Sequence, residues 1–89
     1  MKYVIHYETD PANLHKAMEL FEEHKARWSE YAAAGTLLAI GPFSDPSKGA
    51  LGVFTTREAA EEFVSGDPFV EHGVVASWEV WEWDEVLLP

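Results

Sequence analysis

The chain has 89 residues, and its length and composition fit one domain spanning residues 1–89. Six Lys and Arg stand against sixteen Asp and Glu, a net charge of −10, which disfavours nucleic acid and anionic membrane surfaces as partners. Cysteine is absent, which excludes disulfides and thiolate metal centres. We find neither a signal peptide nor an apolar run of transmembrane length, and we therefore expect a cytoplasmic protein.

The pattern of apolar and turn residues predicts four strands and two helices in the order βαββαβ. Asp10-Pro11 supplies the first helix with an N-cap and a proline at its first position, and Thr55 and Glu58 have the spacing of a capping box for the second. The predicted strands are 2–8, 36–43, 50–54 and 74–83, and the predicted helices are 11–34 and 56–65.

Two split β-α-β units in this order are typical of the ferredoxin-like plan, an α+β fold. Right-handed crossovers put both helices on one face of a four-stranded antiparallel sheet. The last strand is apolar on both sides, with Val74, Ala76, Trp78 and Val80 on one and Val75, Trp81 and Trp83 on the other. We interpret the second side as covered by another subunit in a homodimer, because monomers seldom expose large apolar patches. The alternative is that Trp81 and Trp83 are half-exposed edge residues.

His24 lies on the apolar stripe of the first predicted helix. The other members of the stripe, at steps of three and four, are Leu14, Ala17, Phe21, Trp28 and Tyr31. The stripe of such a helix turns inward, so the imidazole is expected at the core or at a cavity, where it needs a hydrogen-bond partner. His24 is then either a core histidine bonded to a backbone carbonyl or one half of a pair with a carboxylate.

Asp67 is the best candidate for that carboxylate, because it follows the second helix, which packs beside the first in this topology. The alternative is that Asp67 caps a short turn through Pro68-Phe69-Val70, as other Asp-Pro pairs do. In the functional interpretation the pocket walls are Phe21, Trp28, Phe43 and Phe69.

Three further features bear on the site. His6 occupies the strand side opposite Ile5 and is expected to face an inter-subunit cavity. The segment Gly41-Pro42-Phe43-Ser44 marks where a strand leaves the sheet, near the site. No histidine has a metal-ligand spacing with another ligand, and no nucleophile elbow is present, so we expect neither a metal nor a cofactor.

Several short blocks in one order resemble the YciI-like (YCII-related) family. The blocks are HKARW at 24–28, Tyr31, GTL at 35–37, IGPF at 40–43, Gly49, DPFV at 67–70, GV at 73–74, Val80 and Trp83. The resemblance implies a ferredoxin-like fold that pairs into a dimeric α+β barrel, similar to muconolactone isomerases and cofactor-free antibiotic-biosynthesis monooxygenases. It also implies an active site made by a His–Asp pair, which falls on His24 and Asp67.

One relative of that family is a dehydrochlorinase of a chlorinated hydroxyhydroquinone, which implies small aromatic or lactone-like substrates. Many members carry an arginine shortly before the histidine, but here residues 19–23 are Glu-Leu-Phe-Glu-Glu. This departure implies a different substrate if that arginine binds an anion in relatives.

The resulting hypothesis is cofactor-free acid–base chemistry, either isomerisation or elimination such as dehydrochlorination. Asp67 would hold one ring nitrogen of His24, and the other nitrogen would take or return a proton. The alternative is a non-catalytic dimeric module of the same fold that binds a small aromatic ligand.

Overall fold

The computed structural model describes residues 1–88 and contains a four-stranded antiparallel sheet with helices on one face. In chain order the elements are β1 (Lys2–Thr9), a first 3₁₀ turn (Leu14–Lys16), α1 (Ala17–Ala33), β2 (Leu37–Pro42), a second 3₁₀ turn (Pro46–Lys48), β3 (Ala50–Phe54), α2 (Arg57–Ser65), α3 (Pro68–Glu71) and β4 (Val75–Trp83). The strand order β2-β3-β1-β4 is that of the ferredoxin-like plan, so the predicted α+β class is confirmed.

The core lies between the sheet and α2. Ile5 and Phe54 from the sheet meet Ala60, Phe63 and Val64 from α2, and all five side chains are fully buried. Helix α1 packs differently, because none of its residues is fully buried. Its apolar stripe therefore leaves open space between the helix and the sheet, and that space holds the candidate site.

The first helix begins later than predicted. Asp10 is not its N-cap: the Asp10 carboxylate accepts hydrogen bonds from Ala12 N at 3.0 Å and Asn13 Nδ2 at 3.2 Å, closing a turn. Asn13 Nδ2 also lies 3.2 Å from the carbonyl of Gly73, which ties this turn to the loop before β4. The α-helix starts only at Ala17, because the tertiary contact favours the turn over helix propagation.

The cap of the second helix also differs from the prediction. Thr56, not Thr55, is the N-cap, and its hydroxyl accepts from Ala59 N at 3.1 Å. After this helix ends, the chain forms the additional short helix α3, which Asp67 caps.

A register shift between Glu8 and Thr9 changes the predicted sides of β4. Val75 pairs with Thr9, whereas Ser77 pairs with Glu8, so the two strands slip by one residue there. Val75 consequently lies on the helix side, not on the side of Trp81 as predicted. Among residues 1–88, no helix has the length and apolar character needed to cross a bilayer.

Candidate functional site

His24 and Asp67 meet where α1 passes the N-terminus of α3. His24 lies in the middle of α1, while Asp67 follows the end of α2 and caps α3 with Pro68 at the first helical position. The distance between His24 Nδ1 and Asp67 Oδ1 is 2.9 Å. The structure thus brings the two residues of the predicted pair together.

Asp67 is completely buried and makes two kinds of contact at once. Its Oδ1 accepts the backbone N–H of Phe69 at 3.0 Å, which is the capping bond of α3, and it also contacts His24 Nδ1. The two interpretations of Asp67 as a cap and as a histidine partner are therefore not alternatives, since one oxygen does both.

The contacts of Asp67 assign the tautomer of His24. An ionised carboxylate only accepts hydrogen bonds, so the Nδ1 of His24 is the donor. In the neutral ring the lone pair then resides on Nε2. The His24 side chain is 13% exposed and lines the pocket described below, which leaves Nε2 as the ring nitrogen for a bound molecule.

Tyr7 is a third member of this group that the sequence analysis did not identify. Its hydroxyl donates to Asp67 Oδ2 over a long 3.5 Å bond. Burial, reinforced by the neighbouring Asp67 carboxylate, raises the pKa of the Tyr7 phenol well above its usual range. The phenol therefore stays protonated and serves as a donor that orients the second carboxylate oxygen.

The pocket is a cavity of about 600 Å³ between α1, β2 and the loop that carries Asp67. The Phe69 ring stacks on the His24 imidazole with a centroid distance of 4.0 Å and an interplanar angle of 11°, which fixes the plane of the imidazole. Seven of the predicted site residues line this cavity: His24, Asp67, Phe21, Trp28, Gly41, Pro42 and Phe69. This volume lies in the range of small-molecule sites.

Three of the predicted binding residues lie elsewhere. His6 and Phe43 are on the helix-free side of the sheet, where the His6 ring stacks on Trp81 at a centroid distance of 5.0 Å and lies 6.0 Å from the Phe43 ring. Phe43 lies outside the cavity because side chains alternate between the two sides of a strand. The preceding Pro42 lines the cavity, so the Phe43 side chain points to the other side. Ser44 is exposed in the loop after β2. The predicted wall loses Phe43 alone, whereas His6 lies on the side of β1 to which the sequence analysis assigned it, and Ser44 was predicted as a binding residue outside the wall.

Arg27 is a second residue whose role was missed. It lies one turn after His24, and its Nε and Nη2 donate to the carbonyls of Phe63 and Glu62 at 3.0 and 2.8 Å. These are carbonyls at the C-terminal end of α2, so Arg27 joins α1 to the segment that leads into Asp67. The sequence carried no signal for this role, because apolar periodicity assigns Arg27 to the side of the helix opposite the stripe and its half-burial follows from the packing of α1 against α2.

Chemically, the group is an imidazole with one nitrogen held by a buried carboxylate, on a side chain that lines an apolar cavity. Such an arrangement suits proton transfer to or from a bound molecule. Within residues 1–88, no cluster of three or more His, Cys, Asp or Glu residues has the geometry of a metal site.

Fold and site together define a small ferredoxin-like α+β protein with a histidine–carboxylate pair at a cavity. The model of the YCII-related domain matches residues 1–84, so the chain belongs to the YCII-related family. The expectation from the sequence motifs is thereby confirmed.

The chain is similar to one protein in sequence and to one solved structure in fold. The chain is 32% identical over 87 residues to an uncharacterised protein of Haemophilus influenzae (strain ATCC 51907 / DSM 11121 / KW20 / Rd), covering 85% of this chain and 89% of the relative. It is also similar in structure to 5-chloro-2-hydroxyhydroquinone dehydrochlorinase from Burkholderia phenoliruptrix AC1100, solved in complex with 2,5-dihydroxybenzoquinone. That match has a TM-score of 0.76 and 21% identity and covers 94% of each chain.

Proposed function

We propose that this protein is a cofactor-free acid–base catalyst that isomerises, or eliminates a small leaving group from, a small aromatic or lactone-like substrate. The observation that carries the proposal is the 2.9 Å contact between His24 Nδ1 and Asp67 Oδ1 beside an apolar cavity. His24 is the proposed catalytic base and acid, and Asp67 the residue that orients it.

The proposed roles follow from the hydrogen bonds of the pair. Asp67 fixes the tautomer that leaves the lone pair on Nε2, and it stabilises the imidazolium once Nε2 has taken a proton. The proton comes from a hydroxyl or carbon acid of the substrate. Phe21, Trp28, Gly41, Pro42 and Phe69 are the proposed binding surface, because they line the same cavity.

Dehydrochlorination is the specific reaction that we propose to test first, because a structural neighbour catalyses it. In a chlorinated hydroxyhydroquinone, a ring hydroxyl gives up its proton while the chlorine-bearing carbon gains one. A second hydroxyl then loses its proton as the C–Cl bond breaks. The electron pair of that bond leaves with the chloride ion. The net change is loss of HCl and formation of a hydroxyquinone, with no external oxidant.

The test follows chloride release from 5-chloro-2-hydroxyhydroquinone under anaerobic conditions. We expect the wild-type protein to release chloride faster than buffer and His24→Asn to lower that rate by about 10²–10⁴-fold while remaining folded, with only a small drop in melting temperature from the loss of one donor to Asp67. His15→Asn is the matched control, because His15 is exposed just before α1. A wild-type rate equal to buffer would overturn dehydrochlorination, and unfolding of His24→Asn would favour a core histidine.

Asp67→Asn separates the two contacts of Asp67. The amide oxygen can still accept from Phe69 N, and asparagine is as good an N-cap as aspartate, so we expect the melting temperature to change little. Chloride release should fall nonetheless, because a neutral amide does not stabilise an imidazolium. A variant as active as the wild type would contradict the orienting role.

The second candidate is a non-catalytic dimeric module that binds a small aromatic ligand, and the observation in its favour is the apolar cavity itself. It predicts that an aromatic ligand binds wild type and His24→Asn equally and is recovered unchanged.

A further inference from the structure

We infer that the cavity selects uncharged hydroxylated aromatic molecules and rejects carboxylates of the same shape. This inference rests on the proposed function for the choice of site, and adds the charge class of the ligand. It depends on three features of the described residues: the wall, the inner end and the placement of the cations.

The wall of the cavity is apolar along both long sides. Helix α1 contributes Phe21 and Trp28, and β2 contributes Leu38 and Ile40. A ring that leaves water for such a wall gains free energy from burial of apolar surface, whereas an ionised carboxylate loses hydration without replacement. The wall therefore favours a neutral ring.

The inner end carries a negative charge of its own. The donors next to the Asp67 carboxylate are already engaged with it, since Phe69 N, His24 Nδ1 and the Tyr7 hydroxyl all point at its two oxygens. What remains for a ligand is His24 Nε2, which in the neutral ring carries a lone pair that accepts a hydroxyl proton and has no hydrogen to donate to an anion. A ligand carboxylate would meet Asp67 across a medium of low dielectric constant, where like charges repel strongly.

Three of the six Lys and Arg side chains make contacts elsewhere, and the other three, Lys16, Lys25 and Lys48, are not among the residues that line the cavity. Arg27 donates to the carbonyls at the end of α2, and Arg57 contacts Glu82 at 3.2 Å. Lys2 contacts Glu85 at 2.9 Å. No Lys or Arg side chain lines the cavity within the part of the chain that the structure describes. The ligand charge would thus remain uncompensated in a protein of net charge −10.

A matched pair of probes tests the inference. Near neutral pH 2-naphthol is uncharged and 2-naphthoate is an anion, while their ring systems are identical. Dissociation constants come from ¹H–¹⁵N NMR titrations of the whole protein, with shifts around His24 and Phe69 locating the site. We expect 2-naphthol to bind at least about ten-fold more tightly. Equal or tighter binding of 2-naphthoate, or no binding of 2-naphthol, would overturn the inference.

A second test of the inference introduces a positive charge into the wall of the cavity. Leu38 lines the cavity and is 46% exposed, so Leu38→Lys places an ammonium at the rim without entering the core. We expect the affinity ratio to move toward 2-naphthoate by about ten-fold. Val86→Lys makes the same change in net charge at a fully exposed site in the tail and should leave the ratio as it is. Equal shifts in both variants would assign the preference to the overall charge and overturn the role of the cavity.

The two proposals fail separately. Preference for 2-naphthol without any chloride release would retain the inference and remove the catalytic proposal for that reaction. Chloride release that depends on His24, combined with tight binding of 2-naphthoate, would retain the catalytic proposal and overturn the inference about ligand charge.

Discussion

Asp67 shows how one side chain can serve both folding and a site. It is fully buried, caps α3 through Phe69 N, and is shared between His24 and Tyr7. A buried carboxylate is costly unless it is hydrogen-bonded, and these three donors offset that cost. Tyr7 therefore matters to the site although it points at the carboxylate and not at a ligand.

Tyr7→Phe should change how stability depends on alkaline pH. The pKa of the folded phenol is raised, so above about pH 10 the unfolded chain releases a proton that the folded chain keeps. Stability is then lost as the pH rises, by up to about 1.4 kcal/mol per pH unit, and Tyr7→Phe lacks this loss. Urea unfolding between about pH 9 and pH 11 measures it.

The matched control for that measurement is Tyr3→Phe, a half-buried tyrosine of the same strand that packs under Arg57. At neutral pH, Tyr7→Phe should cost about 1 kcal/mol, because Asp67 Oδ2 loses its donor. Identical alkaline slopes for the wild type and Tyr7→Phe would contradict the assignment.

The position of Asp67 depends on the contact between α1 and the C-terminal end of α2, which we call the joint. Arg27 spans it: the guanidinium packs over the Phe63 ring at 5.6 Å and donates to two carbonyls of α2. Gly66 leaves room for that guanidinium, since a Cβ on Gly66 would lie 2.6 Å from Arg27 Nη2. The joint therefore fixes the chain just before Asp67.

Arg27→Met should destabilise the protein by about 2 kcal/mol, because it removes charged donors from two carbonyls at a helix end. Lys25→Met removes the same charge from an exposed position of α1 and should stay within about 0.5 kcal/mol of the wild type. Urea unfolding compares the two variants. A similar loss in both would show that helix charge, and not the joint, accounts for the effect.

The elements were predictable to the extent that local patterns decide them. The βαββαβ order and the inward faces of β1 and α2 follow from apolar periodicity, and β3 (Ala50–Phe54) has its predicted bounds. The start of α1 was not predictable from Asp10-Pro11, because a contact between Asn13 and the distant Gly73 decides it. The same limit applies to Tyr7, whose partner Asp67 is 60 positions away.

Of the site, the sequence yields His24 and Asp67 because a polar residue on an apolar stripe needs a partner. It does not yield the wall correctly: alternation puts Pro42 and Phe43 on opposite sides, and the register of β2 against β3 decides that Pro42 faces the cavity. Pairing between strands is settled by packing of the whole chain rather than by the residues of one segment.

At the scale of the whole molecule, the side of the sheet without helices carries a mainly apolar surface. Cross-strand pairs place six mainly apolar residues there: Val4, His6, Leu51, Val53, Trp81 and Trp83. Trp81 and Trp83 are 47% and 39% exposed. Apolar patches of this kind commonly mark interfaces between proteins.

We expect the protein to be a dimer at micromolar concentration and Trp81→Glu to be a monomer, because a charge on this surface opposes its burial. Trp78→Glu is the matched control: Trp78 is 41% exposed but pairs with Tyr7 on the helix side. Gel filtration with light scattering gives the masses. A monomeric wild type, or dissociation of both variants alike, would exclude this surface as the interface.

The incomplete burial of α1 has a consequence for how ligand preference can change. Because none of the helix's residues is fully buried, substitutions along its inner side cost less stability than substitutions at Phe54 or Phe63. Ligand preference can therefore drift through α1 while the scaffold and the Asp67 cap stay constant. Substitutions on the inner side of α1 should therefore alter ligand preference at a smaller loss of stability than substitutions in the core under α2.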